Sequence, residues 1–321
     1  MTAKKKTFSR RDFLSNSGIL MAGATLPLSK IGVKLSEPNE PVIDIHQHIF
    51  YHGRTDDQLI SHQKNMGVTH TIMLPAGSLV YTRATHFGRS NGLAVQAGGN
   101  QSCYDFAQSH QDSFSFAANE VPDLPNATKE VEKYLKLGGK MIAEVKFGVS
   151  CESLGMQKLY DMAADYDVPV LMHWEFEVYN FGFPQFYRVL EKHPKTKFIG
   201  HAVAWWANID KKQQDHPWIS YPTGPVTPGG ITDRYLSDYE NMYGDLSAGS
   251  GLNAFTRDEA FIKDFFSRHQ DKLLFGSDCA DSEGVGNACS GAQTIAVVRK
   301  LMPPKIERKL LYENAQKLFK L

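Results

Sequence analysis

Eight short apolar runs, each followed by a loop and then by a stretch with helical spacing, restrict what this chain can fold into. The runs cover residues 42–49, 69–74, 114–121, 141–147, 168–174, 197–202, 242–248 and 273–279. Their β-branched and aromatic content favours extended backbone. The intervening stretches place apolar residues about every 3.6 positions. Residues 129–136 end at Gly138 and Gly139, and residues 153–166 carry the stripe Leu154, Leu159, Met162, Ala163 and Tyr166. Further helices are expected over 183–192, 257–269, 292–301 and 306–319. Strands alternating with helices imply parallel pairing through crossover connections. Eight such units in one domain's length favour a closed (β/α)8 TIM barrel over residues 41–321, of the α/β class. No G-x-G-x-x-G follows the first strand, which counts against a dinucleotide-binding fold.

The first run, Pro-Val-Ile-Asp-Ile-His-Gln-His-Ile-Phe at 41–50, carries the most chemistry. Side chains alternate along a strand, so Asp44, His46 and His48 should share one face, with Ile43, Ile45 and Gln47 on the other. A carboxylate and two imidazoles on a buried face are costly unless something charged satisfies them. A divalent metal ion is the simplest candidate. His173 near the end of the fifth run, His201 near the end of the sixth and Asp278 at the end of the eighth should reach the same rim. On the fourth run Ile142, Glu144 and Lys146 are expected on one face, bringing a carboxylate and an ammonium to the barrel mouth. The other eight of the twelve histidines, at 52, 62, 70, 86, 110, 193, 216 and 269, fall in loops or helices and read as surface residues.

Two loops interrupt the rhythm, one after the second strand (76–103) and one after the sixth (205–230). Both leave strand carboxyl ends, where barrel enzymes build their sites. Long Gly/Pro-rich insertions there read as substrate walls or lids. Arg83, Trp174, Tyr221, Arg234 and Tyr235 are the candidate substrate contacts.

Charge narrows the partners. The 35 basic and 35 acidic residues balance, so neither a nucleic-acid groove nor an anionic membrane surface is indicated, and a small-molecule substrate fits better. No apolar run approaches the roughly 20 residues of a membrane-spanning helix. Cys103, Cys151, Cys279 and Cys289 show no C-x-x-C spacing, which argues against a thiolate zinc site or a dithiol redox motif.

Residues 1–40 are expected to be a signal peptide and linker. Three lysines precede Ser9-Arg10-Arg11-Asp12-Phe13-Leu14, and a mildly apolar stretch runs on to Leu28. This resembles a twin-arginine export signal, with Ser15 where a lysine often stands. It implies a folded, cofactor-loaded protein delivered to the periplasm, with no membrane association afterwards. Cleavage after residue 24 would remove five basic residues and one acidic one, leaving a net charge of −4. An oxidising destination would permit a disulfide such as Cys279–Cys289.

The segments Asp-Ile-His-Gln-His, Leu-Met-His-Trp, Ile-Gly-His-Ala and Phe-Gly-Ser-Asp, in that order, are similar to the amidohydrolase superfamily and to its amidohydrolase-related branch of metal-dependent barrel enzymes. The likeness runs from Val42 to the closing Asn314-Ala315-Gln316-Lys317-Leu318-Phe319. It implies His46, His48 and Asp278 as metal ligands, with His173 and His201 completing the site or handling protons. Where such enzymes hold two metals, the fourth strand supplies a bridging glutamate or a carboxylated lysine, and both residue types are present in Glu144 and Lys146. One zinc-class ion on His46, His48, His173 and Asp278, with His201 beside it, is the first expectation, and a two-metal site is the second. Glu144 and Lys146 could instead pair with each other.

The expected chemistry is hydrolysis of a small ester, lactone or amide by metal-activated water, with Asp278 and His201 moving protons and Lys146 or Arg83 holding an anionic group. A decarboxylase of aromatic or unsaturated acids is the alternative within the branch. An exported barrel that binds metal or ligand without catalysis is a third, and assembly into a homo-oligomer stays open.

Overall fold

The computed structural model describes residues 40–84, 92–94 and 96–321. The chain divides after Ser36, and the fold is that of the unit Glu37–Leu321. The expected export signal, together with His86, lies outside the described residues. No helix among the described residues is long and apolar enough to cross a membrane.

All eight strands form, each shorter than its apolar run: β1 Ile43–Gln47, β2 His70–Met73, β3 Phe114–Phe116, β4 Ile142–Val145, β5 Val170–His173, β6 Phe198–His201, β7 Met242–Asp245 and β8 Leu273–Leu274. Neighbours pair in parallel, in the order β1-β2-β3 and β4-β5-β6-β7-β8. The Ala118–Ile142 bridge joins the two arcs on one side. On the other, Ile45 N–H donates to Phe275 O and Asp278 N–H to His46 O, closing the (β/α)8 barrel.

Alternation sorts the strand residues into two buried sets. Ile43, Ile45, Ile72, Leu74, Ala117, Ala143, Leu171, Ile199 and Leu274, drawn from strands around the whole ring, form one cluster, which only the inside of a barrel allows. Ala315, Leu318 and Phe319 of the final helix cover it. Met73, Ile142, Val145, Val170, Met172, Phe198 and Met242 belong to the larger cluster shared with the surrounding helices.

Two strands break this alternation. The β1–β2 register slips between Asp44 and Gln47, and the β4–β5 register slips between Ile142 and Val145. A one-residue slip exchanges the faces of everything beyond it. Ile43 and Ile45 therefore point inward along with His46 and His48, while Asp44 takes the outer side, where Gln63 of the helix Asp56–Met66 donates to it. Likewise Ile142 joins the outer cluster and does not share a face with Glu144. Both shared-face expectations are corrected by these slips.

Three histidines expected at the surface are buried: His62, His193 and His269. Each sits in or at the end of a helix packed against the barrel, where polar partners or sulfur atoms replace water. The helical pattern expected over 306–319 forms as Pro304–Arg308 and Asn314–Phe319 with a π-turn, Lys309–Glu313, between them.

Candidate metal centre

His46, His48, Glu144, His173, His201 and Asp278 come from β1, β4, β5, β6 and the segment after β8, and the carboxyl ends of these strands bring them together. Their donor atoms form two overlapping groups, His46–His48–Asp278 and His46–Glu144–His201, each within 4.8 Å. His46 Nε2 lies 3.2 Å from His48 Nε2, 3.5 Å from Glu144 Oε2 and 3.7 Å from Asp278 Oδ1. His48 Nε2 lies 3.4 Å from Glu144 Oε2 and 3.5 Å from Asp278 Oδ1. A tetrahedral ion with ligand bonds of about 2.0–2.2 Å requires donor–donor edges of about 3.3–3.6 Å. Asp278 Oδ1 is also buried without a hydrogen-bond partner, an expensive state for a carboxylate oxygen unless a cation meets it. The His46, His48 and Asp278 donors thus fit a divalent metal on both spacing and unmet charge.

The imidazoles are held from behind. His48 Nδ1–H donates to Leu74 O at 2.8 Å, which leaves the Nε2 lone pair facing the centre. His46 Nδ1 lies 2.7 Å from Asp245 Oδ2 at the end of β7. Ser247 Oγ donates to that same oxygen at 2.6 Å and sits 2.9 Å from His201 Nδ1. Sequence reading missed Asp245 and Ser247. Asp245 is a lone acid at a strand end, and its only available signal was that position.

Asp44 supports the site from outside the barrel. Oδ1 accepts from His46 N–H and Ser277 N–H, and Oδ2 from Gln63 and Ser277 Oγ. Asn119 Nδ2 donates to Glu144 O, and Asn180 Nδ2 to His173 O and Val145 O. Gly276 is required by close approach, because a Cβ there would lie 2.4 Å from Asp245 Oδ1 and 2.8 Å from His46 Cβ. Asp278 itself adopts a left-handed backbone (φ 40°), rare for a residue with a side chain, as it turns out of the ladder.

His173 is placed differently from expectation. Its Nδ1 lies 2.5 Å from Glu144 Oε1, so it partners one oxygen of Glu144 while Oε2 faces His46 and His48. Glu144 has histidine partners throughout, and no Glu144–Lys146 ion pair forms among the described residues. His201 Nε2 faces Glu144 Oε1 at 3.5 Å and Asp278 Oδ2 at 3.6 Å.

Electrostatics follow from three buried carboxylates crowding four imidazoles. Burial works against charge on His46, yet Asp278 and Asp245 outweigh it and hold its pKa well above the ordinary value. Burial also opposes ionisation of Glu144 and Asp278, but His173 chiefly offsets it at Glu144 and His46 at Asp278, and both stay below the usual carboxylate range. His201 is pushed down by burial and by its neighbour His46. The cluster is thus built to surround positive charge.

Around the mouth, Tyr51 stacks edge-on to His48 at 4.8 Å and Lys146 Nζ sits 5.5 Å from the Tyr179 ring. Tyr221 is 53% exposed, and burial of its hydroxyl, then Glu175 and Asp278, push that group's pKa up. The expectation of Trp174 as a substrate contact is corrected. Trp174 is 0% exposed and packs on Phe183 and Phe186, because alternation turns it outward when His173 faces in. Arg234 is exposed on the helix Ile231–Asp238 with no hydrogen bond or ion pair to the cluster, and Arg83 is exposed on the loop after β2.

No family model matches the chain, and no curated protein matches it significantly. Solved structures show that its fold is that of TIM-barrel proteins. It is similar to an uncharacterised TIM-barrel protein of Bordetella bronchiseptica (TM-score 0.58, 14% identity, 87% of this chain and 98% of that one). A probable 2-pyrone-4,6-dicarboxylic acid hydrolase of Acinetobacter baumannii superposes with a TM-score of 0.57 at 14% identity, over 87% and 99% of the two chains. The 5-carboxyvanillate decarboxylase of Novosphingobium aromaticivorans, solved with manganese and 4-hydroxy-3-methoxy-5-nitrobenzoic acid, gives 0.53 at 17% identity, over 82% and 80%.

Proposed function

We propose that this chain is a metal-dependent hydrolase of the amidohydrolase type, acting on a small ester, lactone or amide. The observation that carries the reading is the approach of the Glu144 and Asp278 carboxylates to within 3.4–3.7 Å of both the His46 and His48 Nε2 atoms, with Asp278 Oδ1 otherwise unpartnered, at the carboxyl end of the strands.

One divalent ion of the zinc class, held by those four residues, would supply Lewis-acid polarisation and water activation at neutral pH. Asp278 spans the donor centre and His201 through its two oxygens, so a proton taken up on its carboxylate can pass to His201 Nε2. His201, its Nδ1 anchored by Ser247, presents that nitrogen to the substrate's leaving atom. His173 holds Glu144 in place. Lys146, beside the Tyr179 ring, would bind an anionic substrate group. Asp278→Asn should fold yet lose turnover. An active, metal-loaded Asn variant would remove Asp278 from the proton path.

A decarboxylase is the second reading, supported by the shared fold of the manganese-containing 5-carboxyvanillate decarboxylase. Assaying a panel of lactones, esters and aromatic acids for both acid production and carbon dioxide release separates the two. Intact metal with neither product would leave a binding protein. Export by the twin-arginine route belongs to the same proposal, and amino-terminal sequencing of protein recovered from the periplasm tests it.

A further inference from the structure

Outside the barrel, beside the segment that carries Asp278, a second group of ligating side chains converges. Cys279 follows Asp278 directly. Cys289 caps the helix Ser290–Leu301, its Sγ accepting Ala292 N–H at 3.3 Å. His62 lies on the helix Asp56–Met66, and its Nε2 is 3.5 Å from Cys289 Sγ. The two sulfurs are free thiols 3.5 Å apart. With a carboxylate oxygen of Asp281, all four donors fall within 4.8 Å of one another. Cys279, Cys289 and His62 are almost wholly buried, and His62 Nδ1 has no hydrogen-bond partner.

The surroundings are built to hold this arrangement. Arg54 Nη1 donates to Cys279 O at 2.9 Å and Asp281 O at 3.0 Å. Asp281 Oδ2 accepts from Glu283 N–H and Gly284 N–H, shaping the turn. Gly284 sits at φ 74°, and a Cβ there would lie 2.2 Å from His62 O, so the turn packs directly on the histidine's helix. Thiolate and imidazole bonds to zinc of about 2.3 and 2.1 Å call for sulfur–sulfur and sulfur–nitrogen edges of about 3.8 and 3.6 Å in a tetrahedron. The two observed separations of 3.5 Å need only a small expansion to accept the ion.

We propose that His62, Cys279, Asp281 and Cys289 form a second, structural site for a zinc-class divalent ion. Two thiolates, an imidazole and a carboxylate suit a borderline-soft metal, and four protein donors leave no open position for substrate. Binding releases the two thiol protons to solvent. The ion would fasten the segment after β8 to two outer helices and so fix the backbone that presents Asp278. The absence of C-x-x-C spacing does not count against this, because the ligands come from chain segments that only the fold brings together.

Cobalt(II) distinguishes this site from the barrel mouth, which contains no thiol. The full chain, purified reduced and loaded with cobalt, should show a thiolate-to-cobalt charge-transfer band in the near ultraviolet. That band should vanish in Cys279→Ser and in Cys289→Ser and survive in Cys103→Ala. Metal analysis of protein made without added metal should show about one equivalent fewer in Cys289→Ser than in the wild type. The proposal is overturned if the folded, cobalt-loaded wild type lacks the band, or if its denatured mass and thiol titration show a Cys279–Cys289 disulfide and no metal. Neither result bears on the His/carboxylate centre, whose cobalt spectrum has no sulfur component.

Discussion

Asp245 Oδ2 lies 2.7 Å from His46 Nδ1, and both residues are wholly buried. The carboxylate fixes which nitrogen of His46 faces the donor centre and makes that nitrogen more basic. Removing such a partner commonly lowers metal affinity about 10–100-fold. Asp245→Ala should show a loss of that size when titrated against a competing chelator, and Asp245→Asn, which keeps a hydrogen-bonding oxygen, a smaller one. Unchanged affinity in the Ala variant would mean that the barrel alone orients His46.

The positions of Glu144 and His173 make opposite predictions for the two residues. Glu144→Gln should strip the metal during purification, because it removes a charged donor from the centre. His173→Asn should retain metal and lose rate, because it frees only the second oxygen of Glu144. Metal content and kcat measured on both variants check this, and metal loss confined to His173→Asn would restore the histidine as the ligand.

Away from the centre, Asp233 accepts from Arg268 at 2.6 Å and pairs with His269 at 2.7 Å. Burial opposes its charge, but these hydrogen bonds outweigh it and hold the carboxyl below its ordinary range. A depressed folded pKa stabilises the protein above the unfolded value of about 3.9 and ceases to do so as the pH falls through the folded value. Asp233→Asn should therefore be about 1–3 kcal/mol less stable than the wild type at pH 7. Urea midpoints should show that gap shrinking below pH about 4, and a gap independent of pH would assign it to packing.

Trp174 is core and Tyr221 is exposed, so the two make opposite predictions. Trp174→Ala should cost about 3–5 kcal/mol of stability and leave KM unchanged at temperatures where the variant is folded. Tyr221→Ala should do the reverse, raising KM with little effect on Tm. A KM effect at Trp174 as large as that at Tyr221 would return the tryptophan to the substrate wall.

The barrel was legible in the sequence because its signals are local. Apolar runs of strand length, helical periodicity and Gly stops each act over a few residues, and their eightfold repetition leaves few other closed arrangements. His46, His48, His173, His201 and Asp278 were legible for the same reason, since a strand end is readable from its own run. Tertiary structure alone decided which face each residue takes beyond a register slip, because register belongs to pairs of strands. That is why Asp44 moved outside and why His173 meets Glu144. Long-range proximity likewise decided Asp245 behind His46, the burial of His62, His193 and His269, and the meeting of Cys279, Cys289 and His62. None of these leaves a periodic trace, because each depends on how distant segments pack around a closed ring.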